Sequence, residues 1–424
     1  MKLKFNLSFN SISIEDLVFL LYFLNLVCIL VLSVVLGRDI SELMFYVLLV
    51  GLIILCLFKC SINQLLPPFL LYAGVVVLFS ATYLIHPEYK NWFLHDTYGI
   101  VPAFLTPVTG IWAFLIIWLS NDNEKIVRNL KLVCFILWIF YLLRYISSVR
   151  RGYWIINDVN GEEVHSAYNL EYGYDMLFPT AFFGSYAFIN GKKRYYLPFL
   201  IGIYAILMGG SRGAILWPIA MFPLMLPFQW HKMASRRRQY ILVLFLLLLA
   251  VGILFVFYYQ AVVSLGVKLL TSLGINSRTI SSLLTGSFSN SNGRETIYKT
   301  VWGMIKNGGP FGWGVYGDRP VIGRKFRWGY SHNLFLEILV SFGYLGGSVI
   351  LILLTKGIID LYRNCTDSFQ QVIFITFFVT SFKLVFSNSF WYTGAFWVLL
   401  ALMLKWRKKK SMQPVLAETA QAVV

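Results

Sequence analysis

Three polar stretches interrupt a largely apolar chain, and their residue types suit the handling of an anion. The first is Gly209-Gly210-Ser211-Arg212-Gly213-Ala214. Its glycines let the backbone turn tightly and come close to a ligand. An arginine between two apolar runs is costly unless it faces water or a partner. Taken alone, Arg212 also fits a guanidinium snorkelling from a helix end. The second is Ser289-Asn290-Ser291-Asn292-Gly293-Arg294-Glu295, followed by a helix-like run to Ile305. Ser or Asn at 290–292 can cap that helix, which puts Arg294 in a first turn where the dipole also favours anions. The third is Tyr330-Ser331-His332-Asn333-Leu334-Phe335-Leu336-Glu337 at the opening of an apolar run. His332 there can act as a general base or donate to a phosphate, and by itself it also fits an interfacial helix cap.

Guanidinium groups bind phosphate oxygens in pairs and keep their charge at any working pH. The segment 261–331 supplies nine Lys and Arg, among them Arg278, Arg294, Arg319 and Arg324, against two acids, Glu295 and Asp318. A solvated face near anionic lipid is the plainer explanation, and an anion site is the sharper one. No zinc pattern, Walker loop, dinucleotide fingerprint or nucleophile elbow is present. A Mg²⁺-bridged pyrophosphate site needs carboxylates. The only adjacent acidic pair in an outer loop is Glu162-Glu163, so no metal and no cofactor is expected. Asn307-Gly308-Gly309-Pro310-Phe311-Gly312-Trp313-Gly314 reads as a glycine-rich turn with aromatic punctuation. Two charges lie deeper in apolar runs, Glu337 and Lys383, and a pairing between them would offset their cost.

The elements that position these residues must be membrane helices. Of 424 residues, 58% are hydrophobic and 13% charged, more apolar surface than a soluble domain of this length can hide. Apolar runs at roughly 14–36, 42–58, 65–85, 99–119, 129–147, 173–189, 195–209, 213–229, 240–260, 332–356, 369–387 and 390–405 have the length of spans. The expected fold is all-α: a polytopic membrane protein of about twelve transmembrane helices. Residues 1–410 form a single membrane domain, and a long extracytoplasmic loop (261–331) joins spans nine and ten. A disordered cytoplasmic tail follows at 411–424. The five cysteines, Cys28, Cys56, Cys60, Cys134 and Cys365, avoid the long loops, which speaks against a disulfide framework.

Loop charge sets the orientation. Lys192-Lys193-Arg194, the run from His231 to Arg238, and Lys405 to Lys410 fall on the side of the N-terminus with its Lys2 and Lys4. By the positive-inside rule that side is the cytoplasm, so both termini are cytoplasmic and the three polar stretches face outward.

The ordered set of Ser211-Arg212-Gly213-Ala214, Gly293-Arg294 with Pro310-Phe311-Gly312-Trp313-Gly314, and His332-Asn333 with Leu336, Glu337, Gly343 and Leu345-Gly346 resembles the O-antigen ligase and Wzy-type polysaccharide polymerase superfamily. The resemblance is best over about 205–350, and the first 200 residues add only hydropathy and span count. It implies a C-type glycosyltransferase-like fold in a bacterial plasma membrane. It also implies a glycan donor carried on polyprenyl (undecaprenyl) pyrophosphate, and metal-independent transfer with inversion. The acceptor is a glycan or a lipid-linked repeat unit. Membrane lipid, with a chain-length regulator or flippase, completes the expected partners, and nothing points to nucleic acid.

Within that frame Arg212 and Arg294 bind the pyrophosphate, and His332 assists the acceptor hydroxyl or holds the phosphate. Asn333 joins in substrate binding, while Arg278 and Arg319 steer the donor. Polymerisation of O-antigen or capsular repeat units is the preferred activity. Ligation of the glycan to lipid A core or another acceptor is the alternative, and no residue decides between them. A flippase would predict paired inverted repeats and broken helices near the midplane. A non-catalytic scaffold leaves the arginines unexplained.

Overall fold

The structure, a computed structural model, describes residues 12–96, 99–157, 163–166, 169–209, 211–230, 233–235, 238–239, 264, 272, 294–326 and 329–421. The described helices, in chain order, begin with α1 (Ile14–Phe23), α2 (Asn25–Leu36), α3 (Arg38–Phe58), α4 (Ile62–Ile85), α5 (Lys90–Phe93), α6 (Gly110–Leu119) and α7 (Asn123–Arg151). A hairpin of β1 (Trp154–Asn157) and β2 (Glu163–Ser166) follows, antiparallel with Trp154 opposite Ser166. Then come α8 (Leu170–Asn190), α9 (Tyr196–Met208), α10 (Arg212–Trp230), α11 (Arg294–Asn307), α12 (Arg319–Lys325), α13 (Leu334–Arg363), α14 (Ser368–Ser381), α15 (Lys383–Phe386) and α16 (Gly394–Gln421). The molecule is an all-α polytopic membrane protein, with apolar side chains covering the outer faces of α2, α3 and α4 and an aromatic-rich core built from α1, α6, α8, α14 and α16.

Eleven of the twelve expected segments coincide with helices, and the twelfth, 240–260, lies outside the described residues. Among the described residues, seven helices are long and apolar enough to cross a membrane, or eight if the bent pair α1–α2 is one span. The shortfall from about twelve has local causes. The helix α8 carries Glu171, Tyr172, Tyr174 and Asp175 in its first half, α9 has 13 residues, and α16 runs into Lys405 and Arg407. The last helix also continues through Gln421, where the sequence suggests a disordered tail. The expected first span bends by 80° between α1 and α2. There the Asn25 side-chain amide donates to the Tyr22 carbonyl, a local bond that competes with the helical ladder.

The long loop folds back on the bundle. Ile297, Val301, Met304 and Ile305 share one face of α11 and bury against Ile322 of α12 and Val340 of α13, the spacing of an amphipathic helix. Next to this small core α13 is broken: Gly343 has φ 73° and ψ 177°, a conformation essentially reserved for glycine. The glycine-rich turn fills the break. Trp313 N donates to Val340 O (2.9 Å), Gly314 N to Ser341 O (2.9 Å), and Leu345 N and Gly346 N to Pro310 O (3.2 and 3.3 Å). Backbone groups freed by the break are thereby paired, as a low-dielectric setting demands.

Contacts define the two ends of the bundle. At one end Arg128 pairs with Asp16 (3.1 Å), Lys405 Nζ donates to Ile117 O (2.9 Å), and Gln229 donates to Ile189 O (3.1 Å). The basic residues 192–194 and Arg238 follow the helix ends gathered there. The starts of α8, α10 and α13, with α11, lie at the other end.

Candidate functional site

At that second end the first polar stretch is shaped by small residues. A Cβ on Gly173 would collide with Ser211, and one on Gly213 would collide with the Tyr174 hydroxyl. The starts of α8 and α10 therefore approach as closely as backbone allows. Tyr174 is left within hydrogen-bonding reach of Ser211 and within electrostatic reach of Arg294. Arg212 is the first residue of α10, and its side chain lies outside the described residues.

The second and third stretches meet directly. Arg294 opens α11, half-buried, and Tyr298 follows one turn later on the same face. Tyr298 lies near enough to the Asn333 side chain to interact with it. Asn333 caps α13, its Oδ1 accepting from Phe335 N (3.0 Å) and Leu336 N (3.1 Å). Its Nδ2 donates to Val385 O at 3.0 Å. These bonds commit Asn333 to tying α13 to α15 beside His332.

His332 has φ 52°, a left-handed conformation uncommon for a histidine. Its neighbours enforce it. On one side Asn333 is fixed as the cap. On the other, Ser331 donates its backbone N (2.9 Å) and its hydroxyl to Asp318 Oδ2. The Tyr330 ring lies 4.1 Å from the imidazole, centroid to centroid. His332 is 7% exposed, and its Nδ1 is buried with no hydrogen-bond partner among the described residues. Burial, and after it the Arg294 charge, lower the imidazole pKa to about 3. The ring is therefore neutral at working pH, with one nitrogen available as an acceptor.

Arg319 occupies a different place from the one expected of a residue steering a ligand at the surface. It is fully buried, with its guanidinium carbon 3.8 Å from the centre of the Tyr316 ring. Its Nη2 lies 3.7 Å from Glu337 Oε1, and Ser389 donates its hydroxyl to the same carboxylate oxygen. Glu337 thus pairs with Arg319 and not with Lys383. Arg278 lies outside the described residues.

Lys383 instead points to the site. Its Nζ lies 5.6 Å from the Tyr174 ring centre, and Asp175 feels its charge. Tyr174 does not stand out in the sequence, and the neighbour of Lys383 is Tyr174, not the expected Glu337. An unexplained lysine in an apolar run was the available signal. Among the described residues no group of three or more His, Cys, Asp or Glu side chains is placed to hold a metal ion.

Residues 197–351 match the model of the O-antigen ligase family. The matched stretch contains Arg212, Arg294 and His332, and it supports the resemblance seen in the motifs. No curated protein matches the sequence.

Proposed function

We propose that the protein transfers a glycan from a polyprenyl-pyrophosphate carrier to an acceptor hydroxyl on the outer face of the bacterial plasma membrane, with inversion and without a metal. Its most concrete form is the polymerisation of O-antigen or capsular repeat units. The observation that carries this reading is a buried His332, its Nδ1 without a hydrogen-bond partner among the described residues, within electrostatic reach of the Arg294 cation, in a segment matching the O-antigen ligase family.

The acceptor oxygen attacks C1 as the bond from C1 to the phosphate oxygen breaks, and the bonding electrons leave with the pyrophosphate. Arg294, with Arg212 at the start of α10, stabilises that growing negative charge. The acceptor proton passes to His332 and from there to water. In the free protein the Arg294 charge opposes protonation of His332. A bound pyrophosphate offsets that charge, so the basicity of His332 rises once the donor is in place. The basic segments at the opposite end of the bundle, read by the positive-inside rule, support an outward-facing site.

The test is transfer by purified protein in nanodiscs with a polyprenyl-pyrophosphate glycan donor, with and without a chelator. Elongated lipid-linked chains that form equally in both conditions are expected. Activity that dies with chelator and returns with Mg²⁺ or Mn²⁺ would overturn the metal-free mechanism. In a deletion strain, single-repeat chains indicate a polymerase, long unattached chains a ligase, and lipid-linked units retained inside the cell a flippase.

A further inference from the structure

We propose that Lys383 is a further cation of the donor site and binds the pyrophosphate of the lipid carrier; this assignment rests on the glycan-transfer reading above. Its starting point is the cost of a lysine in an apolar span. Such a residue is sustained by a partner or by a function. Among the described residues no carboxylate lies within 4 Å of Lys383: the ion pairs of the molecule leave it out, and Asp175 acts on it only from further away. What it does touch is the face of Tyr174.

The surroundings of α15 place that ammonium among the polar stretches. Phe382, just before Lys383, stacks on Trp217 of α10 with ring centroids 3.8 Å apart. Phe386, at the other end of α15, packs beside Gly213. Val385 accepts the Asn333 side-chain amide next to His332. Tyr174, over which the ammonium lies, reaches Ser211 and senses Arg294. The short helix is thus clamped between the Arg212 turn and the His332 turn, with Lys383 on the Tyr174 side.

Two cations around one tyrosine in a partly dry site repel each other, and the arrangement gains stability when an anion sits between them. A diphosphate offers several oxygens to such a site. A guanidinium grips two oxygens in its plane, while an ammonium on a flexible stem follows an oxygen as charge moves. Lys383 therefore suits the phosphate that gains charge when the glycan leaves.

The probes are farnesyl pyrophosphate and farnesyl monophosphate, bound to the full-length purified protein. Lys383→Met should weaken the pyrophosphate about tenfold or more, the scale of one lost charge-assisted hydrogen bond. Monophosphate binding should change much less, and Lys383→Arg should retain most of the pyrophosphate affinity. If the lysine instead serves only Asp175, the double variant Lys383→Met with Asp175→Asn would restore binding, and the assignment falls. It falls equally if Lys383→Met binds pyrophosphate as the wild type does while Arg294→Ala does not. Wild-type protein that binds neither probe would remove the glycan-transfer reading itself, and this assignment with it. Should Lys383→Met fail to purify as a single species, Lys383→Gln carries the same comparison.

Discussion

Gly213 sits directly beneath the Tyr174 hydroxyl, with no room for a Cβ between them. The close approach of α8 and α10 depends on that missing atom. Gly213→Ala should therefore push Tyr174 aside and cost about 1–3 kcal/mol of stability, typical of overpacking, with a loss of transfer beyond what the destabilisation explains. Tyr174→Phe added to it removes the clashing oxygen and should recover much of the stability. Thermal unfolding of the purified single and double variants reads this, and additive losses would show that the two positions are not in contact.

Arg294→Ala should lower the rate of transfer by roughly 10²–10³-fold, the usual effect of removing one donor that faces developing charge. Arg212→Ala is expected to do the same. The control is Arg324→Ala: Arg324 is exposed near the end of α12, and its loss should change little. Rates at matched protein levels decide, and an equally damaging Arg324→Ala would mean that the loop acts through bulk charge.

Acid should destabilise the protein through His332. The imidazole is held neutral in the folded state, its pKa lowered to about 3, whereas the unfolded chain binds a proton near 6.5. The unfolded state therefore takes up more protons between these values. The stability tied to neutral His332 is fully present above pH 6.5 and drains away as pH falls toward 3. Melting curves from pH 7 to 4 should show a steeper decline for wild type than for His332→Gln. Parallel declines would contradict the burial of a neutral ring.

Arg319 and Glu337 form a buried pair at 3.7 Å. Removing one partner strands the other, at a cost of about 3–5 kcal/mol. Arg319→Met and Glu337→Gln should each be strongly destabilising, and the double variant clearly less so than their sum. Arg319→Met protein that unfolds normally yet no longer binds the donor would mark Arg319 as a ligand of the substrate.

The sequence exposes what depends on residue type and withholds what depends on the path of the chain. Arg294 and His332 stand out in the sequence as candidates because few residue types suit an anion or a proton, and the helices are legible because apolar runs have few other uses. The partner of Glu337 was not readable: Lys383 lies in the next span, but the chain carries Arg319 into the core and turns Lys383 toward Tyr174. The break at Gly343 was hidden for a similar reason, since the apolar run continues through it while φ and ψ do not; the one at Leu24 is marked only by Asn25 within an otherwise apolar run. The glycine-rich turn looked like ordinary punctuation because its purpose lies in a helix some thirty residues later.

The bonds between that turn and α13 also decide which parts can move. Pulling the loop away would strip Val340, Ser341, Leu345 and Gly346 of their partners, and each backbone group left unpaired in hydrocarbon costs several kcal/mol. The turn acts as a rivet. Residues 310–314 and 340–346 must travel as one body, so any motion that admits a bulky lipid-linked molecule has its hinges outside this seam.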